Sequence, residues 1–139
     1  MATTVIGLWT LVVVGTAIDV TVEDWPTVVL TELVVDYIRH EGFEVADWRA
    51  LEIPDNLEVG SHDPEKLPGI VAQMNYRDVD AIVLSACVQM PSLPAVAKVE
   101  AMTGKPVITA AIATTYAMLK ALDLEPVVPG AGALLSGAY

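Results

Sequence analysis

Asp80-Ala81-Ile82-Val83-Leu84-Ser85-Ala86-Cys87-Val88-Gln89-Met90-Pro91-Ser92 joins two local signals. Asp80 to Ala86 is a short apolar run rich in β-branched residues, as a strand covered on both faces reads. Polar residues and a proline then break the run, and a helix is expected from Pro91 to Met102, closed by Gly104. A buried strand that passes through a short loop into a helix is the opening of a βαβ unit.

The pattern repeats on both sides. Downstream, Pro106 to Ala110 reads as another strand, followed by a helix with Ile112, Tyr116, Leu119 and Leu122 on one face. The end, Pro126 to Tyr139, is rich in Pro and Gly and only weakly helical in pattern. Upstream, Leu30, Leu33, Val34, Tyr37 and Ile38 recur at helical spacing ahead of Gly42, which predicts a helix from Thr27 to Glu41. Phe43 to Trp48 reads as a short strand. Pro54 to Pro64 is turn-rich and reads as the longest loop. Asp63 before Pro64 is a good cap for a further helix, which Pro68-Gly69 distorts or delays. Strands alternating with helices imply an α/β domain with a parallel sheet covered on both sides.

Hydrophobic residues make up 54% of the 139, and mean hydropathy is +0.54. The densest run, Val5 to Ile18, is interrupted by Gly7, Thr10, Gly15 and Thr16, and falls short of the ~20 apolar residues of a spanning helix. No basic segment precedes it, so a signal peptide is not expected either. A buried strand accounts for it, and no membrane partner is expected. The formal net charge of −11, with seven Lys and Arg, argues against nucleic acid. It also means that an anionic ligand would have to be held by backbone amides and helix N-termini. One cysteine excludes an internal disulfide and a multi-Cys zinc site, and suits a reducing, cytoplasmic setting. His40 and His62 are too few and too separated for a metal motif.

In open parallel sheets, ligands sit beyond the carboxyl ends of the strands. Three segments are expected there: Pro54 to Gly60, Ser85 to Ser92, and Thr109 to Thr115. Cys87 stands where strand gives way to loop and helix, and a thiol near a helix N-terminus tends toward thiolate. The amides of Val88 and Gln89 are placed to hold a carboxylate or an enediolate. Plainer readings exist for each residue. A lone cysteine after an apolar strand can be a small buried hydrophobe. Asp55-Asn56 is ordinary turn chemistry, and Thr114-Thr115 ordinary helix capping. Tyr116 reads as core, and Glu41, Glu44, Asp47 and Glu52 as a solvated edge.

Three longer motifs go further: Asp47-Trp-Arg-Ala-Leu-Glu-Ile-Pro-Asp-Asn56, Leu84-Ser-Ala-Cys-Val-Gln-Met-Pro-Ser-Leu-Pro94 and Val127-Val-Pro-Gly-Ala-Gly132. With them, residues 31–139 resemble the C-terminal half of bacterial maleate cis–trans isomerases, of the Asp/Glu racemase superfamily. The likeness is nearest to the enzyme of nicotinate degradation. It implies a flavodoxin-like three-layer domain, one half of an Asp/Glu-racemase-type fold, within a single α/β domain over 1–139. It implies cofactor-free isomerisation of maleate to fumarate, with Cys87 as the second half's cysteine and no metal. Asn56 and the amides of Val88 and Gln89 match the family's carboxylate-binding positions. Residues 1–30 diverge: Asp19 stands where the family has a substrate-binding asparagine. The first half's cysteine has no counterpart, so a homodimer or higher homo-oligomer is expected. The alternatives are another reaction of the superfamily, racemisation or arylmalonate decarboxylation, or a non-catalytic flavodoxin-like binding domain.

Overall fold

The computed structural model describes residues 10–15, 27–51, 60–85 and 92–139, with 10–15, 27–31 and 85 described by backbone alone. Four parallel strands form one sheet. They are β1 (Thr10–Gly15), β2 (Glu44–Ala50), β3 (Ala81–Ser85) and β4 (Val107–Ile108), in spatial order β2-β1-β3-β4. The helices are α1 (Thr27–His40), α2 (Leu67–Val71), α3 (Leu93–Thr103) and α4 (Ala110–Ala121). The apolar run Val5 to Ile18 thus supplies the central strand, paired on both sides.

β3 shows how the sheet sorts its side chains. Ile82 and Leu84 point into a large core with Leu67 and Val71 of α2, Ala95, Val96 and Val99 of α3, Val107, and Ile112 of α4. Ala81 and Val83 point the other way, toward Val45, Trp48, Ile108 and the Val35 and Ile38 of α1. This alternation is the period-two geometry of a strand, and it gives helix, sheet and helix as three layers.

Val45 and Trp48 share a face although they are three residues apart. The register explains it: Leu11 pairs with Val45 but Val12 with Asp47, so Ala46 is an extra residue in β2. A bulge of one residue reverses which side chains face the core. It also presents the Asp47 carboxylate to the Trp48 amide at 2.8 Å and to the Asn75 amide at 3.0 Å. That ties the edge strand to the turn after α2.

Helix α1 forms where expected but docks with a different face. Val35 is 1% exposed, whereas Leu33, Val34 and Tyr37 are 52%, 46% and 65% exposed. Apolar residues surround this helix on two sides, so spacing alone does not say which side meets the sheet. Before α2, Asp63 caps a 3₁₀ turn over Pro64–Lys66, its Oδ1 accepting from the Glu65 amide at 3.0 Å, and the α-helix starts only at Leu67. Within the stretch read as the longest loop, Gly60 is helical. Gly104 ends α3 at φ 68°, its amide donating to the Glu100 carbonyl at 2.8 Å. The strand expected over Pro106 to Ala110 is only Val107–Ile108, because Thr109 caps the next helix. On α4, Ile112 is buried and Tyr116 and Leu119 pack on the core, but Leu122 is 65% exposed. The chain's end holds a 3₁₀ turn at Ala133–Leu135 and a bridge between Val127 and Ser136.

Truncating Ile82, which is fully buried, tests the core. Ile82→Val is expected to cost ~1 kcal/mol and Ile82→Ala ~3 kcal/mol in urea unfolding. Leu33→Ala, on the outward face of α1, is expected to stay within about 0.5 kcal/mol.

Candidate active site

The carboxyl ends of three strands stand in one row. Gly15, the last residue of β1, is the Cα partner of Ala50 at the end of β2 and of Ser85 at the end of β3. From Ala50 the chain leads toward Asn56, and from Ser85 it leads directly toward Cys87. Adjacent strands lie ~4.8 Å apart, so the two launch points are separated by about 10 Å with β1 between them. The chain turns outward from β1 to β2 and then returns to β3 on the other side. A ligand crevice in such a sheet opens at that switch point, between the ends of β1 and β3.

Asn56, Cys87, Val88 and Gln89 themselves lie outside the described residues, as does Asp19. What the described residues establish is how their segments are anchored. Ser85 is locked into the sheet, and on the far side Ser92, 5% exposed, precedes α3.

The start of α3 offers an anion little. Pro94 has no N–H, and the Ala95 amide is already bonded to the Ser92 carbonyl at 3.0 Å. Two of the donors that a helix N-terminus normally leaves free are therefore gone.

The third segment is not a loop. Residues 110–115 belong to α4, so Thr114 and Thr115 sit inside a helix and cap nothing. The cap is Thr109, 2% exposed, whose Oγ1 accepts from the Ile112 amide at 3.2 Å. Sequence reading placed capping too late, although Thr after an apolar strand and before Ala-Ala was signal enough. His62, which sequence reading weighed only as a metal ligand, has its Nε2 buried with no hydrogen-bond partner among the described residues. Among the described residues no three His, Cys, Asp or Glu side chains gather into a metal-binding group, and no helix is long and apolar enough to cross a membrane.

The model of one protein family, arylmalonate decarboxylase, matches residues 1–135. The chain belongs to that family. Within it, the sequence is similar to maleate isomerases. It is 83% identical to the maleate isomerase of Pseudomonas putida over 110 residues, which are 79% of this chain and 44% of that protein. The crystal structure of the maleate isomerase Iso from Pseudomonas putida superimposes with a TM-score of 0.83 at 63% identity, over 94% of this chain and 49% of that one. A maleate cis-trans isomerase from Nocardia farcinica, a cysteine-to-serine mutant with a covalently bound succinylcysteine intermediate, superimposes with a TM-score of 0.82 at 40% identity, over 94% of this chain and 50% of that one. The chain therefore spans about half the length of these family members. Its fold is one half of an Asp/Glu-racemase-type fold.

Thr109→Ala removes the α4 cap and should cost ~1 kcal/mol in urea unfolding. Thr109→Ser should retain most of that stability. Thr114→Ala should change it by less than about 0.5 kcal/mol.

Proposed function

We propose that this chain carries the second-half machinery of a cofactor-independent maleate cis–trans isomerase, with Cys87 as a reacting group. The observation that carries this reading is the 83% identity to a maleate isomerase. The aligned ends of β2, β1 and β3 support it, since they launch the Asn56 and Cys87 segments from one edge.

The reaction divides between two sulfurs on opposite faces of the substrate. A thiolate adds to one alkene carbon of maleate, forming a C–S bond and pushing the π pair into the neighbouring carboxylate as an enediolate. The Cys87 thiol gives its proton to the other carbon, leaving a succinyl thioether whose central bond is single and rotates. Cys87 thiolate then takes a proton back from that carbon. The C–S bond breaks, its pair returns to the first sulfur, and fumarate leaves. Splitting one difficult rotation into addition and elimination is covalent catalysis. The Nocardia isomerase structure supports this course, because its succinylcysteine is borne by a cysteine other than the one replaced by serine.

One substrate carboxylate is held by the Asn56 side chain and the amides of Val88 and Gln89. With a net charge of −11, neutral donors suit this role better than a bulk attraction the protein lacks. The 139 residues hold a single cysteine, and this reading places the opposite-face sulfur on a second copy in a homodimer or larger homo-oligomer. A working thiolate calls for a reducing, cytoplasmic compartment, and the reaction fits a step of nicotinate degradation. A second reading, loss of CO₂ from an arylmalonate, is favoured by the family model over residues 1–135. It differs in needing an apolar pocket for the aryl ring.

Two measurements test this. NMR of the purified chain with maleate is expected to show fumarate appearing slowly, and Cys87→Ser should lower that rate by orders of magnitude. Equal rates for the two proteins would refute the role of Cys87, and CO₂ release from phenylmalonate without maleate turnover would favour the second reading. Losing a hydrogen bond to a charged group costs ~1.5–3 kcal/mol, so Asn56→Ala should weaken kcat/KM by roughly ten- to a hundredfold. Sedimentation of the same sample should show a dimer or larger species.

A further inference from the structure

We propose that Glu100 and Gly132 are positioning residues that fix the pose of helix α3 and, through it, the Cys87 segment. The proposal rests on the reading of Cys87 given above. In sequence, residues 86–91 connect Ser85 in the sheet to Ser92, the residue ahead of α3. Ser85 is set by pairing with Gly15. The pose of α3 is therefore the boundary left to adjust.

Apolar packing holds α3 down but does not select its rotation or its height. Ala95, Val96 and Val99 are at most 1% exposed, and burial of this kind is non-directional. Direction comes from one carboxylate oxygen. Glu100 Oε1 accepts from the Val107 amide at 3.1 Å and from the Ala133 amide at 2.8 Å. It thereby links α3 to the start of β4 and to the C-terminal 3₁₀ turn through hydrogen bonds strengthened by charge.

Gly132 completes the clamp from the other side. Its φ of 83° and ψ of −178° lie in a region that essentially only glycine occupies. A Cβ there would stand 2.7 Å from Val96 Cγ1 and 3.1 Å from Glu100 Oε1. Val96 is fully buried, so it has no free volume into which to swing. The final segment thus meets α3 as closely as a bare backbone allows, one turn from the residue where the Cys87 segment joins it. A methyl group at Gly132 would push at that point, and a displacement of ~1 Å at reacting atoms can cost about 10²-fold in rate. The Val127–Gly132 motif, otherwise without a role in the chemistry, acquires one as the wedge behind α3.

Cys87 is the sole cysteine, so alkylation of the native full chain by iodoacetamide reads it alone. The rate is measured against pH, alongside urea stability and maleate turnover. Glu100→Ala and Gly132→Ala are expected to lower the alkylation rate by roughly tenfold or more and to displace its pH midpoint. Glu100→Gln, which keeps the acceptor oxygen, should stay close to wild type. Val96→Ala combined with Gly132→Ala should regain part of the loss, since it makes room for the methyl. Ile82→Val serves as a control for lost stability and should leave the profile in place. If Gly132→Ala does not fold, the two Glu100 variants decide. Profiles for Glu100→Ala and Gly132→Ala that superimpose on wild type would overturn the clamp. A wild-type Cys87 no more reactive than a free thiol, with no maleate turnover, would count against the catalytic reading alone, because the ratio of variant to wild-type rates still reads the clamp.

Discussion

Strand β1 pairs in parallel with a neighbour on each side, and its last residue is in register with both. Much of the molecule follows from that pairing. The nearly unbroken Val and Leu of its sequence suit a strand paired on both sides within a parallel sheet. Parallel neighbours cannot be joined by hairpins, so each connection must cross over, and the crossovers supply the helices. All strands then point the same way, and their carboxyl ends form a single edge. A bulge at Ala46 lets the edge strand β2 keep register with β1 as far as Gly15 while Val45 and Trp48 still share the core face. Without it, Ala50 would pair out of step and the Asn56 segment would leave from a different point along the edge.

Charge sets the second constraint. A protein with a net charge of −11 exerts no long-range pull on an anion, so any anionic ligand would depend on short-range donors. Helix N-termini are the usual source, but α3 has little to give once Pro94 and the Ser92–Ala95 bond are counted. At α4, Thr109 uses its own oxygen on the Ile112 amide. In the proposed reading the sulfur and the carboxylate-binding amides fall on consecutive residues, so one pose of the backbone would set both.

The sequence was most legible where one physical effect dominated. Strand β3 is buried on both faces and β1 is paired on both sides, and continuous apolar runs announce such strands. Asp63 with Pro64, and Gly104, act within a single turn and could be read locally. Three features depended on contacts distant in sequence. Helix α1 carries apolar residues on two sides, and only the position of Val45 and Ala81 selects Val35 and Ile38 for burial. The bulge at Ala46 exists because β1 and β2 must match, which neither strand shows alone. β4 is two residues long because Thr109 serves the next helix instead. The three motifs made the family legible, and the match to residues 1–135 bears it out. The individual site residues rested on strand-end position and on resemblance, and Cys87 and Asn56 lie outside the described residues.

Among the described residues, Ile82 and Leu84 face the larger of two buried cores. The Cys87 segment is anchored in the larger core at both ends, after Leu84 and before Ala95 and Val96, all at most 1% exposed. The Asn56 segment follows edge strand β2 and Leu51, which is half-buried and packs against that same core. Both segments therefore adjoin residues packed on the same core. The Asp47 bonds to the Trp48 and Asn75 amides fasten β2 to the turn after α2 a few residues before the Asn56 segment departs.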